Sequence, residues 1–330
     1  MNKYRISPVW WPVLLVISPI LIPWLIGRYM KYRKIKKDVE HKNRNKISSA
    51  KKINLTESKK IDFTVLVEWE KNDGFKNDPG VSYYFETDKD NLLFDIGHGD
   101  YTDTLKHNVE KLNINPDEIN GLAISHLHND HMGGLDSFKK NQVTLPEYLR
   151  SKKSIKCYLP EKADTEYCNG KVINYEQNIL SNFATTGPLE RSMFVFGRTK
   201  EQAVIMKLKN KGIVVFTGCG HPTIGVILEM VQSMFDEPIY AVGGGLHFPI
   251  KTGRMKMKGF DFQRIVGTGL PPWSSLNDSH LNRTIEIINQ VSPEKVFLSA
   301  HDTCDYSIGK FQNELNAKTF VLKAGERYRL

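Results

Sequence analysis

"AISHLHNDHMGG", residues 123–134, decides how this chain is read. His126, His128, Asp130 and His131 fall within six positions, after an apolar run and before Gly133 and Gly134. Imidazole suits zinc and similar borderline metals, and a carboxylate also accepts harder ions. On a loop, alternation turns His126 and His128 towards one ion, and Asp130 and His131 towards a second. Two ions about 3.5–4 Å apart can share a bridging water and clamp a reacting oxygen. A lone histidine at a strand end is usually structural. Four ligand-type side chains packed this closely are not.

Other apolar runs end in ligand-type residues too. "LLFD" ends at Asp95, "VVFTGCGH" at Cys219 and His221, "YAVGGGLH" at His247 and "VFLSAH" at His301. Strand ends on one edge of a sandwich meet at a single site. "IDFTVLVEW", "VSYYFET" and "NLLFDIG" read as strands, because β-branched and aromatic residues alternate between turn residues. "PTIGVILEMVQSMFD" and residues 277–291 have helical spacing. Strands come first and strand–helix units later, which fits two sheets packed face to face with helices outside. Residues 138–200 read as an insertion, and so does a basic loop at about 249–276.

The N-terminal part differs in kind. Residues 9–27, "VWWPVLLVISPILIPWLIG", are nineteen positions without a charge. At about 1.5 Å per residue, such a helix just spans a hydrocarbon core. Trp10, Trp11 and Trp24 stand near its two ends, where amphipathic rings favour the interface. Residues 1–8 form a short tail. Residues 28–60 read as a polar, basic juxtamembrane linker with thirteen Lys/Arg against three Asp/Glu, a net +10. Lys3 and Arg5 add two, so the whole-chain charge of +9 leaves −3 for residues 61–330. The basic excess therefore belongs to the tail, and no nucleic-acid partner is expected of the main domain. The excess of Lys/Arg after the apolar run places the C-terminal bulk in the cytoplasm, on a single-pass anchor. The four cysteines are too few and too irregularly spaced for a disulfide scaffold, and they fit a reducing compartment.

H-x-H-x-D-H followed by Gly-Gly resembles the signature of the metallo-β-lactamase fold. "LLFDIG", "KEQAVIM", "VVFTGCGHPTIGVI", "YAVGGGLHF", "LSAH" and "AGERYRL" are similar to the subgroup labelled dihydropterin–ribofuranosylaminobenzene 5′-phosphate synthase. The resemblance covers residues 61–330. It implies an α+β, four-layer αββα sandwich, here preceded by one transmembrane helix. It also implies a metal-dependent hydrolase with two divalent ions, zinc first and manganese or iron as alternatives. By the same resemblance His126 and His128 bind the first metal, while Asp130, His131 and His301 bind the second. Asp95 orients a ligand histidine, and Cys219 stands where many relatives carry a bridging aspartate. Two departures matter. No histidine lies between His131 and His221, so His221 or Glu201 must complete the first site. The chain reads "HDTCD" where the subgroup ends His-Cys-Thr-Gly, which puts Asp302 and Cys304 in unfamiliar places.

The expected chemistry is hydrolysis of a small anionic substrate, phosphorylated or carboxylated. A metal-bound water is the nucleophile, and Asp130 orients it and accepts its proton. His247, with Lys251 and Arg254 of the basic loop, are candidates for holding the substrate's anion. Two other readings stay open: a synthase or lyase acting on a pterin-type phosphate, and a metal-bound membrane sensor that does not turn over.

Overall fold

The computed structural model of the chain describes residues 4–330. The first three residues of the expected tail, Lys3 among them, lie outside the described residues. A long helix α1 (Trp11–Ser48) comes first. Apart from short two- and three-residue pairings outside the main sheets, the strands that follow are β1 (Asp62–Val67), β2 (Ser82–Glu86), β3 (Asn91–Phe94), β4 (Gly121–Ala123), β5 (Lys156–Leu159) and β6 (Asn169–Val172). Next come β7 (Gln177–Asn178), β8 (Ala184–Thr185), β9 (Leu189–Met193), β10 (Gly197–Glu201), β11 (Val204–Leu208), β12 (Gly212–Phe216) and β13 (Ile239–Gly244). The chain closes with β14 (Lys256–Met257), β15 (Phe260–Asp261), β16 (Lys295–Leu298), β17 (Lys318–Val321) and β18 (Arg327–Arg329). The other helices are α2 (Thr104–Lys111), α3 (Leu135–Lys140), α4 (Ile224–Met234), α5 (Asp278–Val291) and α6 (Asp305–Glu314).

Two seven-stranded sheets result, in the orders β18-β1-β2-β3-β4-β5-β6 and β7-β8-β11-β12-β13-β16-β17. Each strand alternates, so each sheet has two apolar faces to bury. Phe63, Phe85, Phe94, Phe216 and Phe297 fill the space between the sheets. Leu66, Leu93 and Leu122 on the outer face of the first sheet pack under Leu105 and Val109 of α2. Ile213, Val215, Val242 and Val296 on the second meet α4, α5 and α6 through Ile227, Leu281, Ile285 and Phe311. This is the expected four-layer αββα sandwich.

Strand direction gathers the site. β3 and β4 are parallel neighbours, as are β12, β13 and β16. Parallel neighbours release their chains at the same edge. The residues following these five strands therefore come to one end of the sandwich. They include Asp95, His126, Cys219, His221, His247 and His301.

One organisational expectation is corrected. Residues 28–60 are not a tether. The helix runs on to Ser48, and Tyr32, Val39 and Asn43 are buried against the domain at helical spacing. Asn43 exchanges hydrogen bonds with the Glu190 backbone at 2.9 Å, and the Lys46 amine donates to Pro188 O at 2.7 Å. Residues 49–60 continue along the second sheet, where Ser58 N donates to Lys207 O at 2.8 Å. A sparse stripe one residue wide is easily hidden by the lysines between its members. Within residues 138–200, β5 and β6 complete one edge of the first sheet.

Phe63 holds the two sheets together, with its ring 4.9 Å from Phe216 and 5.1 Å from Phe297. Phe63→Ala is expected to destabilise the domain by about 3–5 kcal/mol in urea unfolding. A loss under about 1 kcal/mol would show that the inter-sheet contact is not where the stability lies.

Candidate active site

Three of the ligand-type histidines, His126, His131 and His301, are each aimed by a hydrogen bond at Nδ1. His131 Nδ1 lies 2.7 Å from Asp95 Oδ2, and both residues are fully buried. Ser125 Oγ lies 2.7 Å from that same oxygen and 2.9 Å from His126 Nδ1. The economical proton arrangement has Ser125 donating to Asp95 while His126 Nδ1–H donates to Ser125. His301 repeats the device: its Nδ1 is 2.6 Å from Ser299 Oγ, which lies 2.5 Å from Glu68 Oε2. In the neutral ring, the form that binds a metal, protonation at Nδ1 leaves Nε2 of each with a lone pair facing inwards. His126 Nε2 is buried and has no partner among the described residues.

Among the described residues the inward atoms form two full groups and a third, Cys219, His221 and His247, that bridges them. His131 Nε2 and His301 Nε2 lie 3.2 Å and 3.1 Å from Cys219 Sγ, with Asp130 completing the set. His126, His128 and His221 form the second, with His128 Nδ1 3.2 Å from His221 Nε2. One of these groups is thus three imidazoles and the other a mixed set of imidazole, thiolate and carboxylate. Imidazole, thiolate and one carboxylate are the donor chemistry of zinc. Burial, then the neighbouring imidazoles, pushes His126 and His221 well below the usual histidine range. Burial also pushes His128 and His301 down, each to about 4. These four rings are neutral at pH 7, as ligands must be. His131 goes the other way. Burial opposes its charged form, but Asp130 and Asp95 outweigh it and raise it to about 9. Burial first, and the nearby carboxylates second, raise the Cys219 thiol. A coordinated divalent ion inverts that logic and holds the thiolate.

Glu201 is corrected as a ligand candidate. Its Oε1 accepts from Gly218 N at 3.1 Å and Gly220 N at 2.8 Å, and its Oε2 accepts from His221 N at 2.7 Å. The carboxylate is occupied in folding the loop that carries Cys219 and His221. That loop is tight: a Cβ at Gly218 would come within 2.2 Å of Ser125 Oγ. Gly133 and Gly134, at φ 110° and 95°, turn the chain away after the last motif ligand.

Lys251 and Arg254 are also corrected. Arg254 donates to Ala300 O at 2.9 Å, to Thr303 O at 3.1 Å and to Asp305 Oδ1 at 2.6 Å, so it fastens the loop after β16. Lys251 lies over the Tyr306 ring, 4.8 Å from its centre. Neither reaches the histidines. His247 does. Its ring centre is 4.9 Å from that of His221, and both its buried nitrogens lack a partner among the described residues. A cavity of about 60 Å³ beside it is lined by Arg191, Met193, His221, Thr268 and others. Asp302 accepts from His247 N at 3.1 Å, and Cys304 caps α6 away from the cluster, 3.3 Å from Ser307 Oγ.

Four residues with a part in this site escape a reading of the sequence. Glu68 is the charge that ends the apolar run of β1. Fully buried, it accepts from Tyr83 Oη at 3.0 Å and His301 N at 2.9 Å, besides Ser299. Ser125 and Ser299 sit one and two residues before a ligand histidine. Arg191, in β9, carries no pattern at all.

This is the fold of the metallo-β-lactamase superfamily. The model of that family matches residues 76–160. A solved metal-dependent hydrolase of the β-lactamase superfamily, Tm1679, superposes with a TM-score of 0.58 at 23% identity, covering 81% of this chain and 98% of that one. The metallo-β-lactamase fold protein YhfI from Bacillus subtilis gives 0.50 at 14% identity, covering 82% and 100%. Among named relatives, the chain is 26% identical over 219 residues to 7,8-dihydropterin-6-methyl-4-(β-D-ribofuranosyl)-aminobenzene-5′-phosphate synthase of Methanocaldococcus jannaschii. That match takes in 53% of this chain and 73% of the relative. The resemblance carried by the glycine–histidine motifs is thus met by a relative bearing the subgroup's name.

Removing the Glu201 carboxylate leaves three N–H groups of the ligand loop unanswered. Glu201→Ala is expected to weaken zinc binding at the His126, His128 and His221 group by about 10–100-fold. The group that contains Cys219 should weaken as well, because Gly218 and Gly220 flank that residue. A competing-chelator titration measures both steps, and two unchanged affinities would contradict this role.

Proposed function

We propose that the chain is a membrane-anchored hydrolase with two divalent ions, most simply zinc, acting on a small anionic substrate. The observation that carries the reading is the aim of the imidazoles: buried hydrogen bonds fix Nδ1 of His126, His131 and His301 and leave Nε2 facing a common space. His126, His128 and His221 would hold one ion; Asp130, His131, Cys219 and His301 the other. Such ions supply a water deprotonated near neutral pH and a Lewis acid for a substrate oxygen. The Asp130 side chain is a quarter exposed. That opening suits it to orient the water and take its proton. His247, with Nδ1 3.6 Å from Asp302 Oδ2 and Nε2 without a hydrogen-bond partner among the described residues, stands where it can meet a leaving group. The Arg191 side chain has no hydrogen-bond or ion-pair partner among the described residues and lines the cavity beside His221 and His247. A guanidinium there suits a phosphate or carboxylate. The uncharged stretch of α1, with a mean hydropathy of 2.1, supports the anchor. The excess of Lys/Arg after it supports a cytoplasmic catalytic domain.

A second reading is a synthase acting on a pterin-type phosphate at the same residues, favoured by the name of the Methanocaldococcus jannaschii relative. Product mass separates the two, because hydrolysis adds one water.

With the zinc-loaded full chain and bis(p-nitrophenyl) phosphate, His126→Ala or Asp130→Ala should lower kcat/KM by roughly 10²–10⁴-fold with circular dichroism unchanged. Chelation should do the same reversibly. Full activity in either variant would sink the assignment.

A further inference from the structure

We propose that the mouth of this site opens onto the lipid bilayer and that the substrate is an amphiphile. Its anionic head reaches the histidine cluster while its apolar tail stays among the lipid chains. The inference rests on the metal-dependent reading above and adds the substrate class.

The apolar stretch of α1 does not lead away from the domain. Its two ends are both tied to it. At the start, Ser7 N donates to Gly259 O at 2.9 Å and Trp10 Nε1 to Lys258 O at 2.8 Å. At the far end, the Arg28 guanidinium donates to Phe194 O at 2.6 Å, and the Tyr29 ring lies 5.4 Å from Trp273. Between these ties Leu14, Ser18, Leu21 and Leu25 form a half-buried stripe at helical spacing. The remaining faces are open, with Leu15, Val16 and Ile20 each at least 75% exposed. A contiguous apolar surface of this kind is covered by something, and a helix fastened to one domain at both ends is covered by lipid as it lies along the membrane surface.

The elements that hold the helix are those that border the site. Phe194 and Arg28 meet at the turn between β9 and β10. The next aromatic in that turn, Phe196, lies 5.1 Å from the His128 ring and is half exposed. Phe194 N also donates to Gly269 O at 2.9 Å, which fixes the segment leading back to Gly267. Gly267 is packed so close to His247 that a Cβ there would come within 3.2 Å of Nε2. Lipid on α1 therefore adjoins the mouth. The border has the chemistry for it: Val195, Met255, Met257 and Trp273 are exposed, and Lys256 and Lys258 stand beside the two methionines. Apolar tips with adjacent lysines suit acyl chains below an anionic headgroup layer. A freely soluble substrate has no use for an apolar rim.

The test uses two esters with the same reacting bond, methyl and dodecyl p-nitrophenyl phosphate. The enzyme is the zinc-loaded full chain in phosphatidylcholine–phosphatidylglycerol vesicles. The dodecyl ester should show a kcat/KM at least about tenfold above the methyl ester, since each buried methylene adds to the partition. Met255→Ser/Met257→Ser should remove most of that advantage and leave methyl-ester turnover within about twofold. Equal kcat/KM for the two esters, or a double variant that lowers both alike, would overturn the inference and leave the hydrolase reading standing. No turnover of either ester by the metal-loaded chain would remove the hydrolase reading, and this inference with it.

Discussion

Everything at the site depends on a hydrogen bond made at the wrong side of an imidazole for binding a metal. A histidine presents one lone pair, and which nitrogen carries it is set by what the other nitrogen touches. Asp95 and Ser125 settle this for His131 and His126, and Glu68 and Ser299 settle it for His301. The cost is two carboxylates buried completely. Burial pushes Glu68 up to about 7, against the donors that favour its anion. Burial likewise raises Asp95, with His131 pulling back. An isolated buried carboxylate is unfavourable, and these two persist because hydroxyl, amide and imidazole donors surround each one. The strands that deliver Asp95, Ser125 and Ser299 have parallel neighbours, so the same topology that buries the core also gathers the ligands.

Glu201 extends the same logic from side chains to backbone. It sits at the end of β10, whose partner β9 packs on α1, and its carboxylate folds the 218–221 loop. The helix, the hairpin and the ligand loop are thus one connected structure. That explains why residues 28–48 are ordered against the domain when their composition suggests a solvated tether. It also gives α1 a place beside the chemistry and not merely upstream of it.

Much of this is legible in the sequence, and the boundary between what is and what is not has a physical form. The H-x-H-x-D-H run, Cys219, His221, His247 and His301 are visible because ligands cluster at strand ends. The sandwich is visible because strands alternate. What is not visible is how side chains are spent. Glu201 and His221 are equally good ligand candidates on paper, and only the three amides facing Glu201 separate them. Lys251 and Arg254 look like an anion site by composition. In space one lies over an aromatic ring and the other fastens a loop. Glu68 and Arg191 carry no motif, because a residue that acts through a buried contact needs no fixed spacing from its partner. The helical stripe of Tyr32, Val39 and Asn43 is hidden for a related reason: three contacts in twelve residues are too few to register against a basic background.

The central claim is that two groups of side chains each hold an ion. The most direct measurement is elemental analysis of the full chain, purified without chelator and then equilibrated with zinc. This account predicts two equivalents of zinc per chain. Zero bound metal, or a single equivalent that persists at saturating zinc, would contradict it.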